Sequence, residues 1–398
     1  MKQHKSKPLV LMVLLLLCSS IPVLAGENGD STATAGVSHW SFGGYIKDLQ
    51  SVQFTDISKH WGLDNIIHNR EDLRWFPNSK LKFHIGLRNR LFYGESVPLY
   101  SASGYLDDNN AFINLSKTIA KGQSYLLHTN IDRALVDYTQ GKWELTLGRQ
   151  RINWGLNMVW NPNDIFNAYS YFDFDYEERP GTDAVRLQYY INSTSSAELA
   201  YRPGKSPDDM IAAALYRNTI GSYDIQVLAG WVQTDYVLGA GWSGVIGKAG
   251  FNGEISAFSP RSNIDLSKTV VSASAGINYT FPNSLYLHAA YLLNSSGLTK
   301  ADSTTAGLLL SQVSAKSLSP ARHSIFAEVA YQVTPLIRTD LSAIADPSDG
   351  SFFVGPFIIL SVSNTVEFLA AGQLFFGDTN SLYGNYGRVI FLRLKWSF

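Results

Sequence analysis

The chain has 398 residues, with 32 Lys and Arg against 33 Asp and Glu, and aromatic residues make up 13% of it. That near-neutral balance gives no reason to expect nucleic acid as a partner, and a single cysteine excludes a disulfide framework within the chain. Beyond the first 25 residues no unbroken apolar run approaches the roughly 20 residues of a membrane-crossing helix, which excludes a helical membrane protein.

The chain begins with Lys2, Lys5 and Lys7, continues through an almost wholly aliphatic stretch from Pro8 to Leu17, and reaches Val23-Leu24-Ala25. A basic start, a short apolar centre and small or modest residues at the −3 and −1 positions predict a cleavable export signal over 1–25. Cys18 follows Leu17, where a lipid-attachment motif needs a small residue, so lipid anchoring is not expected. Cleavage after Ala25 removes the only cysteine and leaves 29 basic against 33 acidic residues, a net charge of −4. Gly26 to Val37 is too short for a plug domain, and 26–398 reads as one domain.

From there the dominant pattern is a period of two. Leu81, Phe83, Ile85, Leu87, Leu91 and Tyr93 share one face of a segment whose other face carries Lys82, His84, Arg88 and Arg90. Successive side chains point to opposite sides of a strand, so one face is apolar and the other basic. Strands are predicted near 39–54, 64–76, 80–94, 125–138, 141–153, 182–192, 195–203, 208–218 and 222–234. The remainder lie near 235–246, 248–259, 268–280, 284–294, 322–334, 336–346, 350–362, 365–376 and 386–398. That makes eighteen, with sixteen as the alternative count. Every second connection is short and built from turn residues, such as Pro77-Asn78-Ser79, Gly247-Lys248 and Pro282-Asn283. The long ones, among them 95–124, 154–181 and 295–321, all fall in the other set. Such alternation fits antiparallel strands with short turns at one rim and long loops at the other. Two places break the face pattern. Glu71 shares parity with Leu73 and Trp75, and Arg149 and Arg151 share it with Leu145 and Leu147. Either these charges lie outside the apolar band or a bulge near Gly148 shifts the parity.

The last strand places Ile390, Leu392, Leu394, Trp396 and Phe398 on one face, with Arg393, Lys395 and Ser397 opposite. It resembles the terminal signature of bacterial outer-membrane β-barrels, which ends in Phe and is read by the barrel-assembly machinery. The expected fold is therefore all-β: a closed antiparallel transmembrane β-barrel in the outer membrane of a Gram-negative cell, in contact with lipid and lipopolysaccharide. Trp40, Trp75, Trp143, Trp231, Trp242 and Trp396 then suit interfacial girdles.

A charge facing lipid at mid-bilayer costs roughly 2–4 kcal/mol, which assigns most strand charges to the lumen. Arg70, Arg74, Lys82, His84, Arg88 and Arg90 are expected to project inward from two neighbouring strands, with Arg186, Arg393 and Lys395 added to them. Asp72, Asp132, Glu328, Asp340 and Glu367 offer partners. Two readings stay open: a ladder of ion pairs that fills the lumen and sets strand register, or a basic constriction that favours anions. Leu-Gly-Arg149-Gln-Arg151 followed by Trp154-Gly155 resembles a motif of large porin-like and polysaccharide-export barrels, such as the alginate-export family. In that family charged lumen residues and an infolded loop guide an acidic polymer, a role the resemblance extends to Arg149 and Arg151. The segment 155–181, with Asp164, Asp173, Asp175, Glu177 and Glu178, is long and aromatic, and is expected to fold into the mouth and narrow it. Its acids lack calcium-loop spacing, and the eight histidines show no paired metal spacing. No metal, no cofactor and no enzymatic activity is expected. The sequence points to a pore for small hydrophilic, anionic solutes. Polysaccharide export or surface assembly is the alternative, and an adhesin or membrane-embedded hydrolase stands behind it.

Overall fold

The computed structural model describes residues 39–58, 60–102, 106, 111–173, 175, 177–262, 266–299 and 313–398; the segment 1–25 lies outside them. Alternating residues build β1 (Trp40–Phe54), β2 (Gly62–Asn78), β3 (Leu81–Gly94), β4 (Ser116–Lys121), β5 (Tyr125–Gln140), β6 (Trp143–Gln150) and β7 (Thr182–Tyr190). They continue as β8 (Ser195–Arg202), β9 (Ile211–Ile220), β10 (Tyr223–Val232), β11 (Asp235–Ile246), β12 (Ala249–Pro260) and β13 (Val270–Thr280). The rest are β14 (Leu285–Asn294), β15 (His323–Thr334), β16 (Ile337–Ala345), β17 (Phe352–Ser361), β18 (Val366–Phe376) and β19 (Arg388–Ser397). One short helix, α1 (Val97–Ala102), follows β3.

Leaving β4 aside, each strand pairs antiparallel with the next, and β19 returns to β1 in register from Tyr45↔Ser397 to Phe54↔Arg388. The result is a closed barrel of eighteen strands, the expected eighteen segments. Closure removes every sheet edge from the circuit, the condition for strands to cross a membrane. Where the turns are short, glycine supplies the left-handed backbone they need: Gly221 and Gly247 sit at φ +63 and +64.

The nineteenth strand, β4, was not anticipated. It pairs with the upper part of β5, Ser116↔Asn130 to Lys121↔Leu126, while lower down β5 pairs with β6. Its six residues, Ser-Lys-Thr-Ile-Ala-Lys, carry too little apolar alternation to be read as a strand. The backbone of β5 recruits it.

Polarity is inverted relative to a water-soluble protein. Leu63, Ile85, Leu147, Val185, Leu199, Leu238, Ile255, Ile277, Ile358 and Leu394 are exposed, whereas Lys47, His68, Arg70, Arg88, Glu198, Gln226, Glu254 and Arg393 are buried. Each large aliphatic side chain gains about 1.5–3 kcal/mol in an apolar medium. An exterior of this kind is stable against hydrocarbon. Among the described residues no helix is long and apolar enough to cross a membrane; the strands do it.

The two parity breaks resolve differently. β2 keeps unbroken register with β1 from Trp40↔Trp75 to Gln53↔Gly62, so Glu71 stays on the outward face with Leu73 and Trp75. At β6, Gly148 adopts φ +108, and Arg149 becomes a buried residue at 3% exposure.

Candidate constriction inside the barrel

After Gln150 strand pairing of β6 ends, and the chain leaves the wall and turns inward through Arg151, Ile152, Asn153 and Trp154. Ile152 and Trp154 are fully buried, and every residue from 159 to 167 is buried. The described residues of 151–181 run around the inner wall. Trp154 Nε1 donates to Glu198 Oε1 of β8 at 2.6 Å, and its carbonyl accepts from Gln226 Nε2 of β10 at 2.6 Å. Its ring packs edge-on against Phe166, in an apolar cluster with Leu215, Leu228, Val237 and Phe258.

Further on, Glu254 of β12 gathers the loop. Its carboxylate accepts the backbone N–H groups of Leu156, Asn157 (2.9 Å) and Asn163 (2.8 Å). Ser256 Oγ donates to Asn163 Oδ1 at 2.8 Å, and Asn163 Nδ2 donates to the Ala240 carbonyl at 3.0 Å. Trp160, Tyr171 and Phe172 then meet Phe326, Phe353, Phe375 and Tyr383 in a second apolar cluster. Rings that pack edge to face over this length fix the loop's path against β15, β17 and β18.

The acidic limb closes the circuit. Asp175 pairs with Lys47 at 2.8 Å and Arg393 at 3.2 Å; Glu177 pairs with Arg393 at 3.2 Å and Lys395 at 2.9 Å. Glu178 accepts from the Tyr45 hydroxyl at 2.8 Å and lies 3.6 Å from Arg70. Arg133 donates to the Arg179 carbonyl at 2.6 Å. Finally Asn167 ties the two limbs together, accepting from the Ile152 amide at 2.9 Å and donating to the Pro180 carbonyl at 2.8 Å. Burial pushes the Asp164 carboxyl up to about 7, against the pull of Arg151 and the Trp154 and Asn167 amides; burial raises Asp173 too. Glu177 is held low: burial opposes its charge, but the Lys395 hydrogen bond with the Lys47 and Arg393 cations outweighs it.

The predicted inward cations sort into distinct groups. Arg70 bonds Asp72 at 2.8 Å and Asp132, His84 meets Asp72 at 2.7 Å, and Lys82 meets Asp137. Arg186 grips Glu198 at 2.8 and 2.9 Å. Arg393 also reaches Glu367. Arg88 Nε donates to His68 Nε2 at 3.0 Å, and Arg90 lies 3.3 Å from His128 Nδ1. Arg74 is exposed near the short-turn rim. Arg149 pairs with Asp183 across the β6–β7 register, at 2.8 and 2.9 Å, and the pair clasps one backbone unit. Ile113 donates its N–H to Asp183 and gives its carbonyl to Arg149. Arg151 is half-buried beside Asp164.

Sequence reasoning missed Glu254, Lys47, Tyr45 and Asp183. Glu254 was within reach: it shares parity with Asn252 and Ser256, the polar face of β12. A second long connection also turns in. Ala315 and Leu318 join the two apolar clusters, and Lys316 pairs with Asp235 of β11 at 2.6 Å.

No protein-family model and no curated protein matches the sequence. Solved structures do match its fold. Over 90% of this chain, OccAB3 of Acinetobacter baumannii superposes with a TM-score of 0.55 at 9% identity, covering 99% of that protein. OccK11 (OpdR) of Pseudomonas aeruginosa gives 0.54 at 11% identity, with 90% and 95% of the two chains covered. OccD3 (OpdP) of the same organism gives 0.53 at 9%, covering 90% and 91%. The fold is that of bacterial outer-membrane porins. At this identity the likeness concerns the porin fold alone. The belt of 151–181 and its partners are read from this chain's own residues.

Proposed function

We propose that this protein is a passive outer-membrane pore for small hydrophilic solutes, exported by a signal over 1–25, with 151–181 as its constriction. The observation that carries this reading is a buried loop pinned around the inside of a closed barrel whose inner face carries many buried polar and charged side chains beside two apolar clusters. A barrel of this width encloses water unless loops or side chains fill it, so what sets the bore is the loop. Passage through such a pore needs no cofactor. The preference for anions is a narrower claim. Arg70, Lys82, His84, Arg186, Arg393 and Lys395 have acidic partners, and their fields are largely spent on them. What supports anion preference is the number of basic side chains, His68, Arg88, Arg90 and His128, that β2, β3 and β5 bring beside one another, most of them buried against the lumen.

Planar-bilayer recording tests both levels. Wild-type protein should give discrete conductance steps, and deleting 158–178 should enlarge them. In a salt gradient the reversal potential should indicate anion preference, and Arg88→Gln with Arg90→Gln should move it toward cations. A cation-selective wild type would remove the anion claim and leave the pore; absence of conductance and of liposome swelling would remove the pore.

A further inference from the structure

Beyond residue 25 the sequence holds two sulfur atoms, in Met158 and Met210, and the first of them stands in the constriction. The loop is held on either side of it. Leu156 and Asn157 donate their backbone N–H groups to Glu254, and Asn157 Nδ2 donates to the Ser274 carbonyl of β13 at 3.3 Å. Val159 and Trp160 are buried in the second apolar cluster. Met158 between them is 55% exposed, whereas every other residue from Trp154 to Asp173 is buried or half-buried.

The side chain is turned toward the lumen, and its sulfur has a partner on the inner wall. Tyr286 of β14, which shares the inward parity of buried His288, donates its hydroxyl hydrogen to Met158 Sδ at 3.2 Å. Methionine sulfur is a weak hydrogen-bond acceptor and is open to oxidation where solvent reaches it. Met210, half-buried in the connection before β9, lies outside the constriction and provides an internal reference.

We propose that Met158 is an oxidant-responsive site that sets the bore, a reading that rests on water filling the lumen beside the loop. A two-electron oxidant that is itself a small hydrophilic solute, such as hypochlorous acid, meets this sulfur on the route the pore offers. One oxygen atom is transferred to Sδ, which gives up two electrons. The chlorine takes them and leaves as chloride, and the oxidant's proton goes to water. The product, methionine sulfoxide, replaces a flexible apolar side chain with a polar one. Its oxygen accepts from Tyr286 in place of the sulfur. With that oxygen between sulfur and hydroxyl, the sulfur stands farther from β14 and nearer the axis. Glu254 and the aromatic cluster fix the backbone on both sides, so the displacement falls on the side chain and the bore narrows.

The test uses the folded protein in bilayers. Equimolar hypochlorous acid should add one oxygen to the peptide carrying Met158 before the one carrying Met210, by mass spectrometry, and single-channel conductance should fall. Methionine sulfoxide reductases A and B with dithiothreitol should restore it. Met158→Leu should hold its own conductance through the same treatment. Tyr286→Phe should still gain the oxygen without the fall in conductance. Steady wild-type conductance with Met158 oxidised would make this residue a scavenger and overturn the proposal, as would a fall that persists in Met158→Leu. Absence of conductance before any oxidant would remove the pore, and this proposal with it, whatever the mass shift.

Discussion

Glu254 holds more of the constriction than any other single side chain, because three backbone N–H groups of the loop converge on one carboxylate. Hydrogen bonds to a charged group contribute about 1.5–3 kcal/mol each, and stripping the acceptor leaves buried donors without a partner. Glu254→Ala is therefore expected to increase open-channel noise and mean conductance, and Glu254→Gln to fall between; single-channel recording checks the order. Asp164 carries a pH signature. Its carboxyl titrates near 7 in the folded protein, well above an ordinary aspartate, so the folded state binds the extra proton between about pH 4 and 7. Stability from this group is thus present at low pH and declines as pH rises toward 7. Thermal melts from pH 4 to pH 8 should show that decline in wild type, and Asp164→Asn should flatten it.

At the level of elements, the end of β6 decides where wall stops and loop begins. Gly148 takes φ +108, Arg149 pairs with Asp183 of β7, and the same pair captures Ile113 from the connection ahead of β4. Breaking a buried ion pair by removing one partner costs about 3–5 kcal/mol, so Asp183→Ala should release that segment without opening the barrel. The readout is tryptic cleavage at Lys117 and Lys121 in proteoliposomes, faster in the variant, with gel mobility unchanged. β19 closes the circuit, and Phe398 exchanges backbone hydrogen bonds with Gly44 at 3.0 Å while its ring packs on Phe42 and Trp396. Phe398→Ala should lower the yield of folded barrel in membranes while leaving the conductance of the assembled fraction unchanged.

For the whole molecule, the inversion of polarity governs behaviour. The exterior is stable against hydrocarbon, and the interior is satisfied by ion pairs and loop amides. The mature chain is expected to require detergent or lipid and to migrate as a compact, heat-modifiable species. A soluble form free of detergent would contradict the membrane-spanning reading. The loop lies inside because both faces of the lumen receive it: an apolar half through Leu228, Phe258, Phe326 and Phe353, and a basic half through Lys47, Arg70 and Arg393.

Period-two alternation specified the strands, their antiparallel order and the end at which long connections lie, since an outward residue and an inward residue follow one another along any strand. It also marked Glu71 and Arg149 as exceptions. Parity is a local property, and these things were legible. The circuit of 151–181, the sharing of Glu198 between Trp154 and Arg186, and the neutralisation of most inward cations were not. Many of these contacts join residues far apart in the chain, up to 218 positions, and only closure of the sheet brings those positions face to face. That Glu71 keeps the outward parity of Leu73 and Trp75 was likewise decided by register with β1, which no single strand contains.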